Sequence, residues 1–295
     1  MTHAEEVIER AHSVVARACV LMLFVANFIN IGADLAAMGA ALRLLMDGPQ
    51  LIYAAIFGIV CVELEVFVSY RRYAMILKWL TLSLFAYVIV VFAVDVPWST
   101  ALRGILVPQL AFDSAHAMAL AGILGTTISP YLFFWQAGQE VEELRRQERA
   151  KLKADPKSAE PELARIRVDT LVGMALSNTV ALFIIMATAA TLHAHGVTQI
   201  ETSAQAAEAL RPIAGEFTFA VFAVGIIGTG LLAVPVLAGS AAYAVAELFR
   251  WPEGLGRAPH RAKAFYGTIA AATLGRSLFH SPDLIPSRCS TGAPS

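Results

Sequence analysis

The chain has 295 residues, 57% hydrophobic and 15% charged, with a mean hydropathy of +0.63. That balance excludes an ordinary soluble domain, which needs a more charged surface. A formal net charge of −1 offers no basic face to a nucleic acid.

The first segment, Thr2 to Arg17, is polar and helical in character. It has neither the short apolar core nor the small-residue cleavage site of a signal peptide. Windows of about 19 residues then mark six apolar spans. They run over 15–44, 51–70, 75–94, 115–137, 171–192 and 217–249. The first and last are the longest and must tilt or project beyond the hydrocarbon. Residues 265–274 begin a further span but stop after about ten residues, half of what a crossing needs. The expected fold is an all-α membrane protein of six transmembrane helices plus a truncated seventh. Residues 1–274 form one membrane domain, and 275–295 are expected to be a disordered tail.

Charge orients the spans. Arg10 and Arg17 precede span one, and Arg71, Arg72 and Lys78 lie between spans two and three. Eight basic residues between Arg145 and Arg167 follow span four, and Arg250, Arg257, Arg261 and Lys263 follow span six. These 17 residues face only Arg43, Arg103 and Arg211 in the alternate loops. The positive-inside rule places the N-terminus and the 140–168 loop in the cytoplasm. The plasma (inner) membrane is the expected location, and the lipid bilayer the expected surround. The 142–168 linker reads as a solvated helix followed by a turn, and 194–213 as an exterior polar loop. Cys19, Cys61 and Cys289 have neither metal nor disulfide spacing.

Span one contains Asn27, Asn30 and Asp34 at i, i+3 and i+7, on one helical face. A carboxylate midway along a span costs about 2.5–3.5 kcal/mol on insertion scales and marks a functional position. A structural acceptor between helices is the alternative. Glu63 and Glu65 in span two point to different sides of a helix. Glu65, nearer Arg71 and Arg72, is expected to pair with them; Glu63, one turn from Phe67, has the bundle interior as an option, and structural pairing is the expected reading for both. In span six, Gly225-Ile-Ile-Gly-Thr-Gly230 and Pro235, Gly239 and Ser240 read as a tight packing surface. His193 and His195 read as loop residues. No intramembrane catalytic set is present in the sequence, so an enzyme is not expected.

Span four is interrupted by Gly125-Thr-Thr-Ile-Ser-Pro-Tyr-Leu-Phe-Phe-Trp-Gln136. Proline removes a backbone donor and disfavours helix at the residue before it. Freed carbonyls in lipid cost several kcal/mol unless protein, water or an ion satisfies them. A tolerated proline kink and a helix unwound within 125–130, marked by Gly125 and Pro130, both fit this pattern. The unwound form is one that secondary transporters use as an ion site.

Two stretches together resemble the natural resistance-associated macrophage protein (NRAMP) family of divalent-metal transporters. Ala26-Asn-Phe-Ile-Asn-Ile-Gly-Ala-Asp-Leu-Ala-Ala37 is similar to the family's third helix, and the segment from Gly125 to Glu140 to its sixth. The run from Leu237 to Glu247 resembles the end of the eighth. The resemblance covers about 17–274 in order, corresponding to family helices 3 to 9. It implies a partial LeuT-type inverted-repeat bundle and transport of a divalent cation as substrate, without a cofactor. The family's first helix carries Asp-Pro-Gly-Asn, for which this sequence has no counterpart. A truncated, non-transporting remnant is therefore the alternative function.

The resemblance also implies a site. Thr126 falls where the family's backbone carbonyl binds metal. Ser129 replaces the methionine of Ala-x-x-Met-Pro-His, and Tyr131 replaces the histidine linked to proton movement. Asp34 matches an acid of the proton path, while the second acid falls on Ala37. Asn30 joins Asp34 and Tyr131 along the expected ion path. A methionine sulfur favours Mn²⁺ and Fe²⁺ over hard cations. With serine and carbonyl oxygens that preference is lost, and Mg²⁺ with retained waters suits the smaller side chains. The pattern resembles the family's magnesium-transporting branch, so the expected cation is Mn²⁺/Fe²⁺ or Mg²⁺.

Overall fold

A computed structural model describes residues 3–68, 70–94, 96–107, 113–127, 130–146, 160–196, 200 and 202–278. At some helical positions, among them 3–13, 126–127, 130–133 and 143–146, only the backbone is described. Among the described residues the protein is entirely helical. The helices are α1 (His3–Leu45), α2 (Gln50–Phe67), α3 (Tyr70–Leu80), α4 (Phe85–Ala93) and α5 (Trp98–Leu106). They continue as α6 (Ser114–Thr127), α7 (Pro130–Arg146), α8 (Glu160–Ala190), α9 (Ser203–Phe249) and α10 (Lys263–Leu278).

Five stretches are long and apolar enough to cross a membrane: Val14–Leu45, Gln50–Phe67, Met75–Ala93, Leu163–Ala190 and Gly215–Phe249. They match the expected spans one, two, three and six closely, whereas the stretch for span five begins at Leu163 rather than at the expected Leu171. The third joins α3 to α4 through a 3-10 turn, Thr81–Leu84. Expected span four is divided between α6 and α7, of 14 and 17 residues. The truncated seventh is the 16-residue α10. At 1.5 Å per residue, the 32-residue Val14–Leu45 stretch is about 48 Å long, well beyond a hydrocarbon core of about 30 Å.

The burial pattern identifies the central helix. Half of the apolar window of Gly215–Phe249 is buried, against 11–22% for the other four. α9 therefore has protein on most sides, while the others turn apolar flanks outward. Leu21 (64% exposed), Phe67 (79%) and Phe92 (69%) are such outward residues. In water they would be costly, and in lipid they are solvated.

Two apolar clusters flank α9. One gathers Ile31 and Met38 of α1, Val234 and Ala242 of α9, and Phe265 and Ile269 of α10. The other joins Val90 and Val91 of α4 to Val180 of α8 and Phe222 of α9. Close approach depends on small residues, as expected for span six. A Cβ on Gly225 would lie 3.1 Å from that of Ala86, and one on Gly228 would lie 2.3 Å from Ser83.

Two connecting segments differ from the sequence reading. The polar stretch 194–213 is helical from Ser203. Thr202 and Gln205 form a reciprocal capping box, with Gln205 N donating to Thr202 Oγ1 at 3.2 Å and Thr202 N to Gln205 Oε1 at 3.1 Å. Ala206 and Ala207 bury the inner face of this arm, which meets the long membrane segment at a kink at Gly215. The 142–168 linker begins as helix, as expected, since α7 runs on to Arg146, but its end, from Glu160, already belongs to α8. Residues 147–159 and the tail beyond 278 lie outside the described residues.

Candidate metal site and ion path

α6 closes at Thr127 and α7 opens at Pro130, so their ends bracket the Ser-Pro motif. Ser129, together with residue 128, lies outside the described residues. Thr126 sits in the last turn of α6, and Tyr131 in the first turn of α7, with backbone alone described. The last four carbonyls of a helix have no partner within it, and that of Thr126 is among those of α6. Gly125 is exposed, with nothing within 4 Å of where a Cβ would stand. α6 is apolar all round, with Met118 and Leu120 exposed. Such a helix needs lipid or further protein on every side.

The polar stripe of α1 divides by role. Asn27 is buried and donates through Nδ2 to the Leu237 carbonyl of α9 at 3.1 Å, a structural bond between helices. Asn30 is exposed and Asp34 half-buried. Asp34 has no hydrogen bond or ion pair among the described residues, and lies within electrostatic reach of Cys61 on α2 and Tyr87 on α4. The Tyr87 hydroxyl meets Thr229 Oγ1 of α9 at 3.4 Å, and Thr229 donates to the Gly225 carbonyl at 2.7 Å. Tyr87 and Thr229 thus tie α4 to α9. Sequence reading missed both, since a tyrosine in an apolar span and a threonine between glycines each read as packing.

The two glutamates of α2 depart from the expectation. Glu65 is 2% exposed, and neither side-chain oxygen has a hydrogen-bond partner. Glu63 is exposed, and so is Arg72, one of the expected partners of Glu65. Packing of α2 against α1 and α10 sets this rotation, and it outweighs attraction to the basic pair. His195 Nδ1 lies 2.7 Å from the Thr191 carbonyl at the end of α8, in keeping with a loop role. No group of three His, Cys, Asp or Glu suited to a metal occurs among the described residues.

A second polar centre was not anticipated. Glu142, in the linker read as solvated, turns inward from α7. Its carboxylate accepts from the Tyr243 hydroxyl of α9, from Leu255 N at 2.8 Å and from Gly256 N at 2.9 Å. Gln139 Nε2 donates to the same tyrosine oxygen at 3.2 Å. Gly254, at φ 121, completes the turn; a side chain there would be strained, and its Cβ would lie 2.6 Å from Glu142 Oε1. The clasp ties α7 to the end of α9 and the loop that follows. Trp135 adds apolar contact, its ring meeting Tyr243 edge-on at 6.3 Å. Arg165 of α8 pairs with Glu140 of α7 at 3.0 Å and with Asp169 at 3.1 Å.

A family model described as natural resistance-associated macrophage protein-like matches residues 1–283. Among curated proteins, the divalent metal cation transporter MntH of Chromohalobacter salexigens is 30% identical over 132 residues. The aligned part is 44% of this chain and 28% of that relative, so the match spans less than a third of the relative's length.

Proposed function

Because the chain belongs to the natural resistance-associated macrophage protein-like family, we propose that it moves divalent metal cations across a membrane. Family membership over residues 1–283 carries this reading. The name of the similar protein, a divalent metal cation transporter, agrees with it.

The proposed site lies where α6 and α7 meet. The Thr126 carbonyl stands at the negative end of the α6 dipole and suits a cation. The Ser129 hydroxyl is the second ligand from this chain. Asp34, Asn30 and Tyr131 lie along the path. Asp34 supports this best, as an intramembrane carboxylate without a partner among the described residues. Oxygen ligands without a thioether favour a hard cation, so the proposed preference is Mg²⁺ over Mn²⁺.

Uptake into vesicles reconstituted with the protein tests both parts. Wild type is expected to take up Mg²⁺ in preference to Mn²⁺. Ser129→Met should move the Mn²⁺:Mg²⁺ ratio about tenfold toward Mn²⁺, a change of about 1.4 kcal/mol. An unchanged ratio removes Ser129 from the site. No uptake of either ion after verified insertion favours the non-transporting reading.

The proposed orientation has the N-terminus and the 140–168 segment in the cytoplasm, by the basic-residue asymmetry. Single cysteines introduced at positions 150 and 200 should label from opposite faces of the plasma membrane. Labelling from the same face would reject the topology.

A further inference from the structure

Glu65 has no part in the site proposed above, yet among the described residues it is a carboxylate buried with no partner. It is 2% exposed, with both carboxyl oxygens unpartnered. An ionised carboxylate in such a place costs several kcal/mol unless a cation or strong donors meet it.

The groups around it supply neither. On α2 itself, Cys61 is one turn earlier and fully buried, and Glu63 is exposed. On α1, Asp34 adjoins Leu35, which shares a buried cluster with Cys61 and packs on α2 at Gly58, and Cys61 lies within electrostatic reach of both carboxylates. On α10, Tyr266 lies within reach of Glu65, and its hydroxyl is 3.2 Å from the Leu255 carbonyl and 2.9 Å from that of Arg257. On α3, Arg72 and Lys78 are exposed. On α9, Tyr243 is engaged by Glu142 and Glu247 is exposed. Two acids therefore share a seam with a thiol and a phenol, and no cationic side chain described on these helices faces them. Cys61 and Tyr266 do not make a metal cage with one carboxylate, and no three-ligand group occurs among the described residues. A proton is the smallest cation that removes the charge.

We propose that Glu65 is a proton-binding site buried in the α1–α2–α10 seam and linked to Asp34 across Cys61. Two neighbouring carboxylates in a poorly hydrated seam do not ionise independently. Ionised Asp34 on its own holds the proton on Glu65, because a second negative charge in the seam is costly. A divalent cation on the Asp34 path reverses that field and loosens the proton of Glu65. Proton occupancy at Glu65 then sets the pH dependence of uptake. This last consequence rests on the transport reading, whereas the proton site itself does not.

Infrared spectroscopy of the full chain in lipid reads the site directly. Wild type should show a protonated-carboxyl stretch that persists at neutral pH. Glu65→Gln should remove it, Glu65→Asp should keep it at a shifted frequency, and Asp34→Asn should leave it in place. Spectra that are the same in wild type and Glu65→Gln overturn the proposal. Thermal unfolding is the second measurement. A neutral isostere of a neutral acid should leave the midpoint unchanged or raised, whereas a fall of several degrees means an ionised, paired Glu65 and overturns it too. In vesicles, Glu65→Gln should flatten the pH profile of cation uptake. An unchanged profile beside a lost infrared band rejects the link to Asp34. If wild-type vesicles take up no cation, the transport reading fails, while the infrared and unfolding results still decide the proton site.

Discussion

Glu142→Ala is expected to lower the unfolding free energy by about 3 kcal/mol, read as an earlier midpoint in denaturing detergent. The substitution removes the carboxylate that three donors share, the Tyr243 hydroxyl, Leu255 N and Gly256 N, and leaves Leu255 N only its longer bond to the Tyr243 oxygen at 3.3 Å. A hydrogen bond to a charged group contributes about 1.5–3 kcal/mol, and a buried donor left alone costs about 1–3 kcal/mol. Gly256 is exposed, so water replaces part of the loss there. Glu142→Gln should fall between, since its amide oxygen still accepts one or two of the three. Glu140→Ala is the control from the same helix. Its partner Arg165 is 44% exposed, and such pairs contribute about 0–1 kcal/mol. Equal effects of the two alanine variants would show that the clasp does not hold α7.

Gly39→Leu is expected to cost about 3 kcal/mol, and Gly39→Ala about half as much, because α1 and α2 meet there backbone to backbone. A Cβ at position 39 would stand 2.7 Å from the Gln50 carbonyl oxygen and 3.0 Å from Ala54 N. Backbone cannot swing aside, so α2 has to move. That movement also strains the Gln50 Nε2 bond to the Ala36 carbonyl, 3.1 Å long. Gly230→Ala makes the comparison. There the nearest atom is the Met38 sulfur at 2.3 Å, a closer contact on paper. Methionine is flexible, so the smaller penalty belongs to position 230. Unfolding midpoints that rank the two alanine variants the other way would reject this packing account.

Both effects concern contacts that no local pattern announced. Glu142 sits in a run of charged residues, and charge runs are ordinarily solvated. Its partners are more than a hundred residues away, at Tyr243 and Leu255. Glu63 and Glu65 show the same limit within one helix. Their spacing put them on different sides of α2, which holds. Which side faced inward was not legible, because α2 is apolar nearly all round and has no polar face to orient it.

The candidate site is legible in a different sense. The Ser-Pro motif marks an interruption in an apolar run by local chemistry alone, and the ends of α6 and α7 fall around it. Asn27 and Asp34 were placed on one face of α1 by helical spacing. Their separation into a structural bond and a half-buried acid required α9, since only the Leu237 carbonyl distinguishes them.

The sequence by itself determined the membrane class, the extents of four spans and the place of a fifth, and the resemblance that led to the family. Hydrocarbon demands long uninterrupted apolar runs with internally satisfied backbone, and that demand is met residue by residue along the chain. Only the tertiary structure decided that α9 is the central helix, that Glu65 is interior and Glu63 exposed, and that Glu142 closes a clasp. Those depend on how each helix is rotated and on which distant segment meets it, and an apolar helix carries little periodic signal of either.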